Sequence, residues 1–205
     1  MRKPTESEIE YVEILQEAWN NLLEYYEKPL EKSGYIHDRE EDLRSLLFCK
    51  IFNLLEERGI PFTFSTERGI LLPTISTEVN LRSDTRLDIL LRRSEDSALG
   101  VEIKINMAIE DDLEKLKNLM MEKLITIGAF TTIVKCSQNL KTREMTPFEG
   151  TPVYHKVKVL YDISENDNGS NNFIMTKHID RYIKEGTPNA RHIDWDGVLI
   201  ILRNT

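Results

Sequence analysis

Cysteine is scarce in this chain: of 205 residues only Cys49 and Cys136 are cysteines. Two thiols exclude a disulfide framework and a four-ligand structural zinc site. One falls in a helical pattern and the other ends an apolar run, which predicts two buried free thiols in a reducing compartment. Long apolar runs are missing as well. No stretch approaches the roughly 20 residues of a membrane span, and the start MRKPTESEIEYVE lacks the apolar core of a signal peptide, so no membrane association and a cytoplasmic location are expected. Without G-x-x-x-x-G-K-[ST] or G-x-G-x-x-G, neither an ATP motor nor a dinucleotide cofactor is indicated. No G-x-S-x-G occurs, and neither cysteine has the setting of a nucleophile. Positive charge is also in deficit, with 27 Lys and Arg against 35 Asp and Glu. That balance argues against coating nucleic acid through bulk charge. It leaves room for a local basic patch, or for metal ions as the positive charge.

What is present describes an ordinary soluble domain, 40% hydrophobic with a net charge of -8. A chain of this length buries about 70% of its unfolded surface and needs no staple to fold. The acidity is uneven: residues 1–60 carry 8 basic and 14 acidic groups, residues 61–124 carry 9 and 12, and residues 125–205 carry 10 and 9.

From Thr5 to about Glu31, Ile9, Val12, Leu15, Trp19, Leu22, Leu23, Tyr26 and Leu30 recur at three and four, the stripe of a long helix. Thr5 and Glu8 form a capping box, and Ser33-Gly34 supplies the stop. Its apolar surface suits packing or a homodimer. A second helix is expected over Asp38–Arg58, with Leu43, Leu46, Leu47, Ile51, Leu54 and Leu55 inward and Gly59 as stop. β-rich runs follow at Pro61–Ser65, Ile70–Val79, Arg86–Arg92 and Leu99–Ile105. A helix over Ile109–Leu124 and a strand over Ile125–Cys136 complete an α-β-β-β-α-β order, a mixed sheet with helices on its faces. Beyond it, Ser137–Gly150 and Ser164–Asn172 read as loops, Val153–Ile163 as a strand, Phe173–Glu185 as a short helix and Val198–Leu202 as a last strand. The division expected is an N-terminal helix (1–34), a core (35–136), and strands and loops completing the same domain (137–205).

Chemistry concentrates in Arg86-Leu87-Asp88-Ile89-Leu90-Leu91 and Gly100-Val101-Glu102-Ile103-Lys104-Ile105. Strand alternation puts Glu102 and Lys104 on one face, and a hairpin between the two runs would bring Asp88 beside Glu102. Two carboxylates suit a hard divalent cation such as Mg2+. A nearby ammonium can polarise an attacking water and counter charge building on phosphorus. A carboxylate at the start of the second helix could complete the shell: Glu40 is preferred, sharing a stripe with Leu43, Leu47 and Leu54, with Glu41 as fallback. Glu102–Lys104 is the only E-x-K in the chain, and there is no D-x-K.

Over roughly residues 38–136 these features resemble the PD-(D/E)XK nuclease superfamily, although Leu87 stands where the named motif has proline. The resemblance implies an α/β, three-layer restriction-endonuclease-like fold, here with a long N-terminal helix added. It implies Mg2+ or Mn2+ held by Asp88, Glu102 and the Ile103 carbonyl, with Lys104 as the motif lysine and Glu40 as the helix glutamate. Asp84 competes with Asp88 but precedes the apolar strand. The implied activity is hydrolysis of a DNA phosphodiester by a metal-activated water, with RNA as an alternative substrate. The rival is a non-catalytic nucleic-acid- or protein-binding module on the same fold, and a third reading is a purely structural protein.

Arg44, Lys50, Arg82, Arg86, Arg92, Arg93, Lys115 and Lys117 flank these residues and could meet phosphates. His192 and Asp194, two apart, would share a strand face and could hold a metal, but no third ligand lies at useful spacing. His155 and His178 carry no signal of their own, and Trp195 reads as a packing anchor.

Overall fold

A computed structural model describes residues 4–27, 39–60, 62, 74–82, 85–94, 97–105, 109–138, 145–165, 171–183 and 191–203. Helices α1 (Glu6–Glu27) and α2 (Glu40–Glu57) precede a meander of β1 (Thr74–Arg82), β2 (Thr85–Ser94) and β3 (Ser97–Ile105). Helix α3 (Ile109–Met121) crosses to β4 (Ile127–Lys135). Short strands β5 (Ser137–Gln138) and β6 (Met145–Thr146), a 3-10 turn at Phe148–Gly150, helix α4 (Pro152–Leu160) and short β7 (Ile163–Ser164) follow. Two long strands, β8 (Asn172–Ile183) and β9 (Arg191–Arg203), end the described chain.

Seven strands make one mixed sheet in the order β1-β2-β3-β4-β9-β8-β7. The α3 crossover makes β3 and β4 parallel, and β7 and β8 are parallel too; the other neighbours in the sheet are antiparallel. Apolar residues alternate between its faces. Ile89, Leu91, Leu99, Val101, Ile103, Leu199 and Ile201 pack with α1 and α2, while Leu90, Ala98, Phe130, Val198, Ile200 and Leu202 pack with α3 and α4. The chain is therefore an α/β protein with a mixed sheet flanked by helices.

The start of α1 is the expected capping box: the Thr5 N–H donates to Glu8 Oε2 at 2.7 Å and the Glu8 N–H to Thr5 Oγ1 at 3.3 Å. Val12, Leu15, Trp19, Leu22, Leu23 and Tyr26 are buried, whereas Ile9 stays 40% exposed and Leu30 lies outside the described residues. These side chains pack on α2 and the sheet of their own chain. The apolar stripe suggested for a homodimer is thus covered intramolecularly. Gly59 ends α2 with φ +64°, a left-handed conformation that glycine adopts without a Cβ penalty.

Five expectations change. Ser137–Gly150 is not all loop, since it holds the paired short strands β5 and β6 and the 3-10 turn at Phe148–Gly150. Val153–Ile163 is mainly helix α4, because Thr151 caps it, its Oγ1 accepting the Tyr154 N–H at 3.2 Å, and Pro152 presets the first turn. Phe173–Glu185 is strand β8, paired with β9 from Phe173 to Ile183. The last strand begins at Arg191 rather than Val198. Cys136 is buried as expected, but Cys49 is exposed, on the side of α2 away from Leu43, Leu47 and Ile51. The proposed strand Pro61–Ser65 lies outside the described residues except Phe62, which is in no strand.

Candidate functional site

The hairpin register sets the geometry. Ile89 faces Val101 and Leu90 faces Gly100, and one further step puts Asp88 opposite Glu102. On the other side Thr77 faces Ile89 and Val79 faces Leu87, so Glu78 stands opposite Asp88. Asp88 and Glu102 are both buried. Glu40, the first residue of α2, reaches in from one helix, and Asp112 and Lys115 reach in from the start of α3.

Cations meet Glu40, Glu78, Asp88 and Glu102. The Lys104 Nζ lies 3.0 Å from Glu40 Oε1. Lys115 donates to Glu102 Oε1 at 2.7 Å and to the Arg86 carbonyl at 2.5 Å. Arg44 reaches Asp88 Oδ1 at 3.3 Å and Glu78 Oε1 at 2.9 Å, and the Ile103 N–H donates to Asp88 Oδ2 at 2.8 Å. Glu78 takes φ 54°, a left-handed backbone that costs a side chain about 1–3 kcal/mol and is found at functional sites.

Burial decides the electrostatics. It pushes the Glu102 carboxyl up to about 7, against the pull of Lys115 and with the push of Asp88 and Asp112. Asp112 is raised as well, by burial first; Lys104 and Lys115 oppose this, and the charges of Asp88 and Glu40 reinforce it. Burial works to lower Lys104, but the Glu40 hydrogen bond and the charges of Asp112, Glu40 and Asp88 hold its ammonium above the ordinary range. Lys104 is therefore a cation here and no base. Both carboxyls are thus held above their usual range chiefly by burial, which the neighbouring lysines only partly offset.

Of the expected residues, Asp88, Glu102, Lys104 and Glu40 come together, and Ile103 joins them through its N–H. Glu41 is exposed. Asp84 lies outside the described residues, as do the side chains of Arg82 and Arg93. Asp112 and Glu78 were missed by sequence reasoning. Asp112 hid among three first-turn acids of α3, where each is explained by the helix dipole; its spacing of three before Lys115 was the available signal. Among the described residues, no three of these carboxylates bring oxygens within 4.8 Å of one another.

No protein-family model, curated protein or solved structure matches this chain. Its site must therefore be judged on its own geometry. The flanking cations are largely engaged within the fold: Arg86 pairs with Glu78 at 3.1 Å, Arg92 donates to the Leu124 carbonyl at 3.1 Å, and Lys117 sits over the Tyr161 ring.

Proposed function

We propose that this chain is a metal-dependent nuclease of PD-(D/E)XK type, with a restriction-endonuclease-like fold, that hydrolyses DNA phosphodiester bonds. The observation that carries the reading is the meeting of Asp88, Glu102, Lys104 and Glu40 at one end of the β2–β3 hairpin, with the Glu102 carboxyl buried. The order α2-β1-β2-β3-α3-β4 supports it. The donor set also suits a hard divalent ion, because Asp88 and Glu102 are two buried carboxylates on paired strands and carboxylate oxygen is the ligand that Mg2+ or Mn2+ prefers.

Asp88 and Glu102 would hold the ion, with the Ile103 carbonyl beside them. When bound, the ion supplies positive charge that acidifies water and polarises a phosphate oxygen. Lys104, kept protonated, would face the negative charge developing on phosphorus, and Glu40 would hold that ammonium in place. Lys115 is the cation that an entering ion would displace from Glu102, which would free it to meet a phosphate.

A second reading has its own support: the ion pairs Arg44–Asp88, Lys115–Glu102 and Lys104–Glu40 already answer these carboxylates within the fold, which suits a non-catalytic binding module. The test is cleavage of labelled linear, supercoiled and branched DNA, with RNA in parallel, in Mg2+ or Mn2+. Wild type should cut, and Glu102→Ala and Lys104→Ala should each lose about 100-fold or more, the scale of removing a charge-stabilising group. No cleavage of any substrate, or equal cleavage by the variants, would sink the nuclease in favour of the binding module.

A further inference from the structure

The adjacent strands β4, β9 and β8 gather a second set of ligating side chains. Val134 faces Asp196 and Lys135 faces Trp195 across β4 and β9, and His178 faces Asp196 across β9 and β8. Just past β4 the Cys136 N–H donates to the Asp194 carbonyl at 2.9 Å, continuing the ladder. Facing residues on a sheet project to the same side. Cys136, Asp194, Asp196 and His178 therefore share one face, and ligand atoms of Cys136, His178 and Asp194 lie within 4.8 Å of one another.

We propose that Cys136, His178 and Asp194 bind a Zn2+ ion, with Asp196 as the positioning residue for the histidine. The details of Asp196 carry much of this. Its Oδ2 accepts the Phe148 N–H at 2.5 Å, and its Oδ1 lies 2.9 Å from His178 Nδ1. A carboxylate at Nδ1 places the ring proton there, leaving the Nε2 lone pair for a metal, the carboxylate–histidine arrangement common behind metal ligands.

Nε2 in turn lies 3.4 Å from Asp194 Oδ1, close to the roughly 3.3–3.8 Å between ligands of a tetrahedral ion with bonds of about 2.0–2.3 Å. Asp194 Oδ1 is buried and accepts no hydrogen bond, an arrangement that costs free energy unless a cation answers it. A ring nitrogen and an anionic oxygen at that distance call for a positive charge between them, either a proton on Nε2 or a metal ion. Zinc binding would exchange the Cys136 thiol proton, released to solvent, for a Zn–S bond. Sulfur, nitrogen and a single carboxylate favour Zn2+ over Mg2+ or Ca2+. The half-exposed His178 side chain gives access from solvent and leaves the fourth position to water.

The test uses the full chain stripped of metal and titrated with Zn2+ against a chromophoric chelator, then with Co2+ to read the thiolate-to-metal charge-transfer band. A Co2+ band and one tightly held ion per chain that Glu102→Gln leaves in place are expected. Cys136→Ser should abolish the band, and His178→Ala, at an exposed position where folding is safe, should reduce zinc affinity at least 100-fold. Asp196→Asn should keep the band and bind about 10- to 100-fold more weakly. Folding of each variant is checked by circular dichroism. Excess Mg2+ and the Glu102→Gln variant should leave the band unchanged, which separates this site from the carboxylates of β2 and β3. Absence of the band in folded wild type would overturn the proposal. So would its persistence in Cys136→Ser, which would assign it to the exposed Cys49, or an affinity unchanged in His178→Ala.

Discussion

At the scale of the residue, Glu102 shows how strongly a side chain's surroundings set its charge. Its carboxyl sits at about 7 in the folded protein against 4.5 for the free group. The unfolded chain therefore releases the proton first as pH rises, and folding must either retake it or bury a charge. The resulting destabilisation is absent below pH 4.5, grows as pH rises toward 7 and is complete above that. From the size of the shift it reaches about 3 kcal/mol at most. Glu102→Gln removes this dependence. In metal-free urea denaturation, the stability of wild type relative to Glu102→Gln should fall by about 2–3 kcal/mol between about pH 4.5 and pH 8. A difference that stays flat with pH would mean that burial does not hold the Glu102 carboxyl above its ordinary range. Asp88, Glu102, Lys104 and Glu40 were legible in the sequence because the hairpin and the helix start that assemble them are local patterns. The set Cys136, His178, Asp194 was not: its members sit on three strands whose register is a tertiary fact, and only Asp194 was singled out, beside His192.

At the scale of the element, contact between α1 and β9 fixes how closely helix and sheet approach. Gly197 lies under Leu23, and a Cβ added there would come within 3.0 Å of Leu23 Cγ and nearer still to its methyls. Leu23 is fully buried and has little room to yield. Gly197→Ala should destabilise by about 1–3 kcal/mol through overpacking. Leu23→Ala alone should cost about 2–5 kcal/mol through the cavity it leaves. Together they should cost at least about 1 kcal/mol less than their sum, because the alanine methyl enters the space the leucine vacates. Strict additivity in thermal denaturation would show that the helix does not press on this glycine. Helices α1 and α2 were legible because the capping box of α1, the glycine stop of α2 and the periodicity of both agreed. Strand β8 was not, since its Phe173, Ile174, Thr176 and Ile179 fit either reading until β9 supplied a partner along its full length. Helix α4 was missed for the opposite reason: its valines favour a strand, but the cap formed by Thr151 and Pro152 outweighs them.

At the scale of the whole molecule, a net charge of -8 opposes approach to DNA, and the cations nearest the carboxylate site are largely spent on internal pairs. A nuclease built this way needs the metal for binding phosphate as well as for chemistry. A metal held by buried carboxylates would also be linked to fold stability. An ion that binds only the folded state at ten times its dissociation constant adds about 1.4 kcal/mol. For a chain of this size that corresponds to a rise of about 3–6 °C in Tm. Saturating Mg2+ should produce such a rise in wild type, and little or none in Asp88→Asn or Glu102→Gln, when unfolding is followed by calorimetry at constant ionic strength. The comparison works because general salt effects act on all three proteins alike, whereas occupancy of the β2–β3 site acts on wild type alone. Equal shifts in all three would assign the effect to bulk screening and remove the metal from the site. A shift confined to wild type, without cleavage of any nucleic acid, would keep the metal and favour the binding module over the nuclease.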